Sequence, residues 1–484
     1  MSTTYRDLEA QKYGSIEEAR AVSELFDYDS LNPKEMVKSN LNWYNQPADL
    51  PSYSPTANNL IQFYLPRDGI YVPHESYFSL TLTPSIANSA GNVAGTQYAT
   101  NTRLENIYSI IQSVSITVGN ETVYNFVQGY PSWKAIQYSY ASPDFISTVL
   151  TDTGYALTNS EKNYMSGTYL GAEDATAVHN AWGLPDAGAG VIKSGYTYRL
   201  KLDSILDSLK AVPLNAMPRI RISILLNPGT SCMSNLIANT VAGYTLTNVV
   251  YHMRMLEVPT ALRQEIRLKQ IEADRDLARG SIFEYENVYH NTFTLPANSA
   301  GQQSFQFNVN IEECKSIFIV FRNSTLINVS NTGANGNYND NQNSNFIAPF
   351  DITNADWVAS RGNFQYQFVC DSEYYPKQPV IMTGNDLVEA SSMMMEAMGT
   401  LNDVELGQRY VTPAFTQPGN FILGVRLKPN HDTKSGKYIG TLNMNLTWSG
   451  ISSPNFSIYG DVFIPYESTL VCSASTARLV TSRP

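Results

Sequence analysis

The feature that most constrains this chain is a series of strand-patterned landmarks that recurs in the same order in its two halves. The tetrapeptide Phe-x-Leu-Pro occurs at 63–66 and again at 293–296, each time followed by a turn-rich interval and an alternating stretch, FSLTL (78–82) in one case and FQFNV (305–309) in the other. Leu65 then pairs with Leu295, and Phe78 with Phe305. Further on, GNETVYNFVQGYPSWKAIQ and PKQPVIMTGNDLVEASSMM each read as strand, glycine, helix start, so Gly129 pairs with Gly384. Leu200 of YRLKL falls on Leu427, Ile222 of RIRISILL on Met444 of TLNMNLTW, and Tyr251 of NVVYHMRM on Tyr459 of FSIYGDVF. The spacing between partners changes most where one half carries a loop-like insertion: residues 141–195 in the first half, and the Asn/Gly-rich NTGANGNYNDNQNSN (331–345) in the second. That behaviour is expected of one fold written twice.

The repeated unit is β. In RIRISI (219–224) the isoleucines 220, 222 and 224 share one face and Arg219, Arg221 and Ser223 the other, the period of a strand with one buried side. Strands are expected at 60–65, 77–83, 112–118, 121–126, 196–202, 218–226 and 245–257. One-sided burial favours paired antiparallel sheets over a parallel α/β core. Hydrophobic residues make up 43% of the 484 residues, enough for two cores. Charged residues reach only 15%, against about 25% in ordinary globular chains. A surface made polar by Asn, Ser, Thr, Gln and Tyr instead suits extended loops and large protein contacts.

Two further helical signals lie outside the repeated units. Ser15 and Glu18 form a capping box ahead of Ile16, Ala19, Val22, Leu25 and Phe26 at helical spacing, and NQPADLPSYSP (45–55) must be extended. TALRQEIRLKQIEADRDLARG reads as a connecting helix, with Leu262, Ile266, Ile271 and Leu277 as its stripe and Gly280 as its stop. The expected domains are therefore an N-terminal arm with a short amphipathic helix (1–55), a first β unit (56–257), a helical connector (258–289), a second β unit (290–472) and a C-terminal tail (473–484).

Chemistry is sparse in the sequence. His74, His179, His252, His290 and His431 show neither i, i+4 nor H-E-x-x-H spacing, so no metal site is expected. Cys232, Cys314, Cys370 and Cys472 are far apart and read as buried free thiols. The glycines of DAGAGVIKSG (186–195) lack the strand and the G-K-[ST] ending of a phosphate loop. Two acidic pairs, Asp371 with Glu373 and Asp351 with Asp356, have the residue types of a glycosidase but loose, loop-like spacing, and read as solvated acids. The methionines of SSMMMEAM (391–398), behind the helix start at Asp386 and Glu389, read as packing residues under loops or at a subunit contact. Asn120, Asn323, Asn328, Asn445 and Asn455 begin glycosylation sequons, which abundant Asn, Ser and Thr produce by composition alone. No catalytic residue, cofactor site or metal ligand is assigned. A net charge of −11 and the lack of a Lys/Arg run disfavour direct, sequence-specific nucleic-acid binding. The N-terminal MSTTYRDLEAQKYGS has no apolar core behind basic residues, and no window approaches the run of about 18 apolar residues that a membrane span needs.

Each half thus reads as about eight strands with a helix after the middle ones, the anatomy of an eight-stranded jelly-roll sandwich, and the fold class is all-β with two such sandwiches in tandem. At this level the chain resembles the double jelly-roll major capsid proteins of adenovirus hexons, tailless membrane-containing phages, virophages, polinton-like viruses and large eukaryotic DNA viruses. The resemblance spans about residues 60–470 and is carried by YRLKLDSILDSLKAVPLNAMPRIRISILL, FQFNVNIEECKSIFIVFRN and FILGVRLKPNHDTKSGKYIGTLNMNLTW. It implies a non-enzymatic major capsid protein located in the virion, a homotrimer of six rolls with a pseudo-hexagonal outline that tiles the facets of an icosahedral shell. Its implied partners are other copies of itself and penton and minor capsid proteins. It makes 141–195 and 322–362 tower or intersubunit loops, and the N-terminal arm a candidate to clasp a neighbour, the shell floor or an internal lipid membrane. Two other readings stay open: a carbohydrate-binding or glycan-hydrolysing β-sandwich protein, and a minor capsid or spike protein.

Overall fold

A computed structural model of the chain describes residues 40–88, 102–104, 107–139, 196–209, 211–235, 240–257, 268, 281–325, 346–399, 415–416, 419–427, 436–473 and 475–480. The arm helix expected at 15–26, the connector helix apart from Leu268, the run 186–195 and the Asn-rich stretch 331–345 lie outside them, as do His179 and His431.

Among the described residues, sixteen strands carry the two repeats. The first eight are β1 (Asn40–Pro47), β2 (Leu60–Tyr64), β3 (Ile70–Asn88), β4 (Ile111–Val118), β5 (Glu121–Phe126), β6 (Tyr196–Leu200), β7 (Ile220–Leu226) and β8 (Thr240–Glu257). Helix α1 (Tyr130–Ser139) follows β5. The second eight are β9 (Ser281–Leu295), β10 (Gly301–Cys314), β11 (Ser316–Asn323), β12 (Asn363–Cys370), β13 (Glu373–Met382), β14 (Ile422–Arg426), β15 (Lys437–Ser449) and β16 (Ile458–Cys472), with α2 (Val388–Met398) after β13.

Their pairing is the same in both halves. The first sandwich sets a sheet β1-β8-β3-β6 against a sheet β2-β7-β4-β5, and the second sets β9-β16-β11-β14 against β10-β15-β12-β13, its two layers joined at one corner where Cys314 of β10 pairs with Tyr466 of β16. Adding eight to each strand number of the first half reproduces the second. Every pairing is antiparallel, and this strand order is that of a jelly roll, so the chain is two jelly rolls in tandem. Alternation decides which way each strand faces. Ile220, Ile222 and Ile224 point into the first core, and Phe364, Tyr366, Phe368 and Cys370 of NFQYQFVC point into the second.

All seven strands expected in the first half are present, and each half has its helix after the fifth strand. The observed order corrects the start of the repeat. Residues 40–47, expected in the arm, form β1 and pair with β8 from Asn40↔Glu257 to Pro47↔Val250, and Ser52–Tyr53 pairs with β8 as well. The side chains of Leu41–Pro47 are exposed or half-exposed, so the strand has no buried face to leave an alternating signature. Residues 281–289, expected in the connector, belong to β9. The two Phe-x-Leu-Pro motifs therefore sit one strand apart in the repeat, at the end of β2 and of β9, whose true counterpart is β1. Phe78 on β3 and Phe305 on β10 are mispaired in the same way. The pairs Gly129/Gly384, Leu200/Leu427, Ile222/Met444 and Tyr251/Tyr459 fall on or beside equivalent elements.

Two further segments pack down where loop or tail was expected. Within 322–362, Phe346, Phe350 and Trp357 are buried against the second sandwich, and Trp448 Nε1 of β15 donates to Pro349 O at 3.0 Å. In the tail, Ala477–Val480 pairs with β16.

Candidate functional site

The residue types singled out in the sequence serve local structure. Asp371 accepts the backbone N–H groups of Gly440 (3.2 Å) and Thr441 (2.8 Å), tying the β12–β13 turn to β15. Glu373 is ion-paired with Lys437 and accepts from Tyr375 Oη, and this hydrogen bonding holds its carboxyl below the usual range. Asp351 accepts from Thr353 N and Oγ1, closing a turn, while Asp356 stands at the start of a short helix (Ala355–Val358) capped by Asn354. Neither acidic pair is arranged as an acid and base across a cleft. The four cysteines are buried and free, and burial pushes the thiols of Cys314, Cys370 and Cys472 up to about 12, which keeps them protonated and unreactive. Met394 and Met395 are buried as α2 packs on β14. Among the described residues, no three His, Cys, Asp or Glu side chains gather as metal ligands. His74 is exposed beside Glu75, and His252 bridges Ser79 Oγ (2.7 Å) and Asn45 Oδ1 (2.8 Å) across the β1-β8-β3 sheet.

What the fold assembles instead is a seam between the rolls. The β5–α1 corner of the first roll packs on the outer face of the second roll's β9-β16-β11-β14 sheet. Phe126 stacks on His290 (5.4 Å between centroids) and lies 6.1 Å from Phe463, while Trp133 of α1 lies 5.7 Å from Phe463 and 6.2 Å from Phe318. Such packing adds geometric preference to the burial of large aromatic surfaces. Gly129 allows the approach. Its φ of 77° suits glycine, and a Cβ there would lie 2.9 Å from His290 Nε2.

Polar groups fix the register of the seam. The bulge in β5 skips Val123 in the pairing with β4, and its carbonyl accepts from Tyr285 Oη (2.9 Å) and Asn287 Nδ2 (3.0 Å) of β9. Behind the aromatics, Asp461 is buried between His290 Nε2 (2.9 Å) and Arg322, whose Nε and Nη2 reach its Oδ2 at 3.0 and 2.6 Å. Burial alone would raise this carboxyl. The Arg322 guanidinium and His290 outweigh it and hold the group below the usual carboxylate range. On the first roll's side, buried Lys134 pairs with Asp203 and stands 5.3, 5.8 and 5.4 Å from the ring centroids of Tyr108, Tyr130 and Tyr138. Burial works against its ammonium, but the Asp203 carboxylate outweighs that and raises its pKa.

Sequence reasoning found His290 only as one of five scattered histidines and did not single out Phe126, Trp133, Arg322 or Asp461. One signal for the seam was readable. SIFIVF in β11 and GDVFIPY in β16 are near-continuous apolar runs with every residue buried, as strands covered on both faces require.

No protein-family model and no curated protein sequence matches the chain. Solved structures do. The Faustovirus major capsid protein superposes with a TM-score of 0.51 at 10% identity, over 96% of this chain and 98% of that one. A chain of the Sputnik virophage particle gives 0.51 at 12%, over 93% and 90%, and one of the PBCV-1 virus capsid 0.50 at 10%, over 93% and 98%. At these identities the likeness is one of fold, and it embraces both rolls.

Proposed function

We propose that this chain is a major capsid protein: a non-enzymatic shell subunit of the virion that self-associates into homotrimers and tiles the facets of an icosahedral capsid. One observation carries the reading. Two rolls of the same strand order are joined by a buried seam, over a length that coincides with capsid subunits of the same double-roll fold. A unit already repeated twice closes into a ring of six rolls when three chains meet, and such a ring tiles a shell without a change of fold. The local structural roles of Asp351, Asp371 and Glu373 lend the glycan-hydrolysing alternative no support. Neighbouring trimers, penton and minor capsid proteins are the partners this role requires, with the N-terminal arm the segment available to reach a neighbour or an internal membrane.

The test is the mass and outline of the purified full-length protein. Three chains of 53.8 kDa give roughly 160 kDa particles with a six-lobed outline in negative stain. Stable monomers at every concentration would overturn the reading.

A further inference from the structure

The two rolls offer the same surfaces twice, and the described residues of one chain cover one of each kind. The β5–α1 corner is covered by the second roll, and the outer face of the β9-β16-β11-β14 sheet by the first. Their counterparts, the outer face of β1-β8-β3-β6 and the β13–α2 corner, present exposed large side chains among the described residues, Trp43 on the first and Ile381 and Val388 on the second. We propose that these two surfaces bind each other between copies, the first roll's sheet face receiving the β13–α2 corner of a second copy of this chain. The inference rests on the shell reading above and specifies which faces make the trimer.

The sheet face is built like an interface before any partner arrives. Trp43 is 49% exposed, with the Arg254 guanidinium 4.8 Å from its ring centroid and Tyr77 at 5.5 Å. Tyr77 in turn stacks on His252 at 4.8 Å and lies under Arg199 at 4.0 Å. Trp, Tyr and Arg held in one contiguous, preordered cluster are the residue types that dominate interface energetics. Glu75, 3.4 Å from Arg254, offsets part of the positive charge.

The corner matches it in chemistry. Val358, Ile381 and Val388 are 62%, 47% and 58% exposed, respectively. The backbone of Trp357 and Val358 lies against Gly384, in the turn that joins the strand of Ile381 to the helix of Val388. Asp386 and Glu389, both exposed, flank these aliphatics, so an apolar patch with an acidic rim faces an aromatic patch with a basic one. The contact is heterologous: each chain donates one surface and receives on another, as the closed ring demands.

Single cysteines test the pairing in the full-length chain, whose native thiols are all buried. Trp43→Cys and Val388→Cys chains, co-expressed and treated with a flexible bis-maleimide, are expected to give two-chain adducts that join the two kinds of chain. Each variant expressed alone gives none, and the double variant gives a ladder ending at three chains. Self-crosslinking of either single variant, or intact wild-type trimers without adducts in the mixture, would overturn this pairing and leave the shell reading standing. Monomers throughout would overturn both. Trp43→Asp, which sets an acid against the acidic rim, is expected to shift the assembly midpoint by about tenfold or more while the circular dichroism of the chain is unchanged; trimers at the wild-type concentration would also overturn the pairing.

Discussion

The outer faces of β1-β8-β3-β6 and β9-β16-β11-β14 are one surface in two copies of a fold, and they differ in what lies against them. On the second roll the face is covered by Phe126 and Trp133, and the stretches SIFIVF of β11 and GDVFIPY of β16 are buried on both sides. On the first roll, β3 and β8 alternate: Phe78, Leu80 and Leu82 point inward while Tyr77, Ser79 and Thr81 point outward. Periodicity therefore reports coverage as well as secondary structure. A strand whose period of two vanishes in one copy of a repeat and survives in the other marks where the copies touch.

The comparison is broken most forcefully at Phe463. Phe463→Ala removes the ring against which Phe126, Trp133 and His290 pack, and is expected to destabilise the chain by about 3–5 kcal/mol in urea titration. A loss below about 1 kcal/mol would mean that the seam is not a packed core. Acid gives the next effect. The Asp461 pKa is depressed in the fold, so its contribution is full above the unfolded carboxylate value near about pH 4 and is lost as pH falls through the folded value. Stability should fall more steeply below that pH in the wild type than in Asp461→Asn; parallel profiles would place the acid response elsewhere. The smallest effect belongs to the first roll's face. Trp43→Ser should change the unfolding free energy of the isolated chain by less than about 1 kcal/mol. Its consequence is expected in assembly, and a larger loss in the monomer would make the two faces alike.

Much of this architecture was legible because most strands bury one side. RIRISI, NFQYQFVC and TLNMNLTW carry the period that the cores impose, and the helix after the fifth strand shows in both halves as a glycine and a helix start. The opening was misread by one strand for the same physical reason. β1 buries no side chain between Leu41 and Pro47, so NLNWYNQP has no period, and Phe-x-Leu-Pro at the end of β2 became the first visible landmark. The seam was harder. Asp461, Arg322 and His290 lie on three different strands, and only the strand order brings them together. Trp43 and Tyr77 likewise meet across β1, β8 and β3, at a distance no sequence window spans.

Gly129 and Gly384 hold the same place in the two rolls, and in both a methyl group would collide with something. For Gly129 the obstacle is the imidazole of the other roll; for Gly384 it is the carbonyl of Trp357, inside its own roll. Identical letters at matched positions thus answer to different neighbours, one to a junction and one to a loop. A larger residue at the first would pry the halves apart, and at the second it would lift a loop whose Val358 is the outward surface.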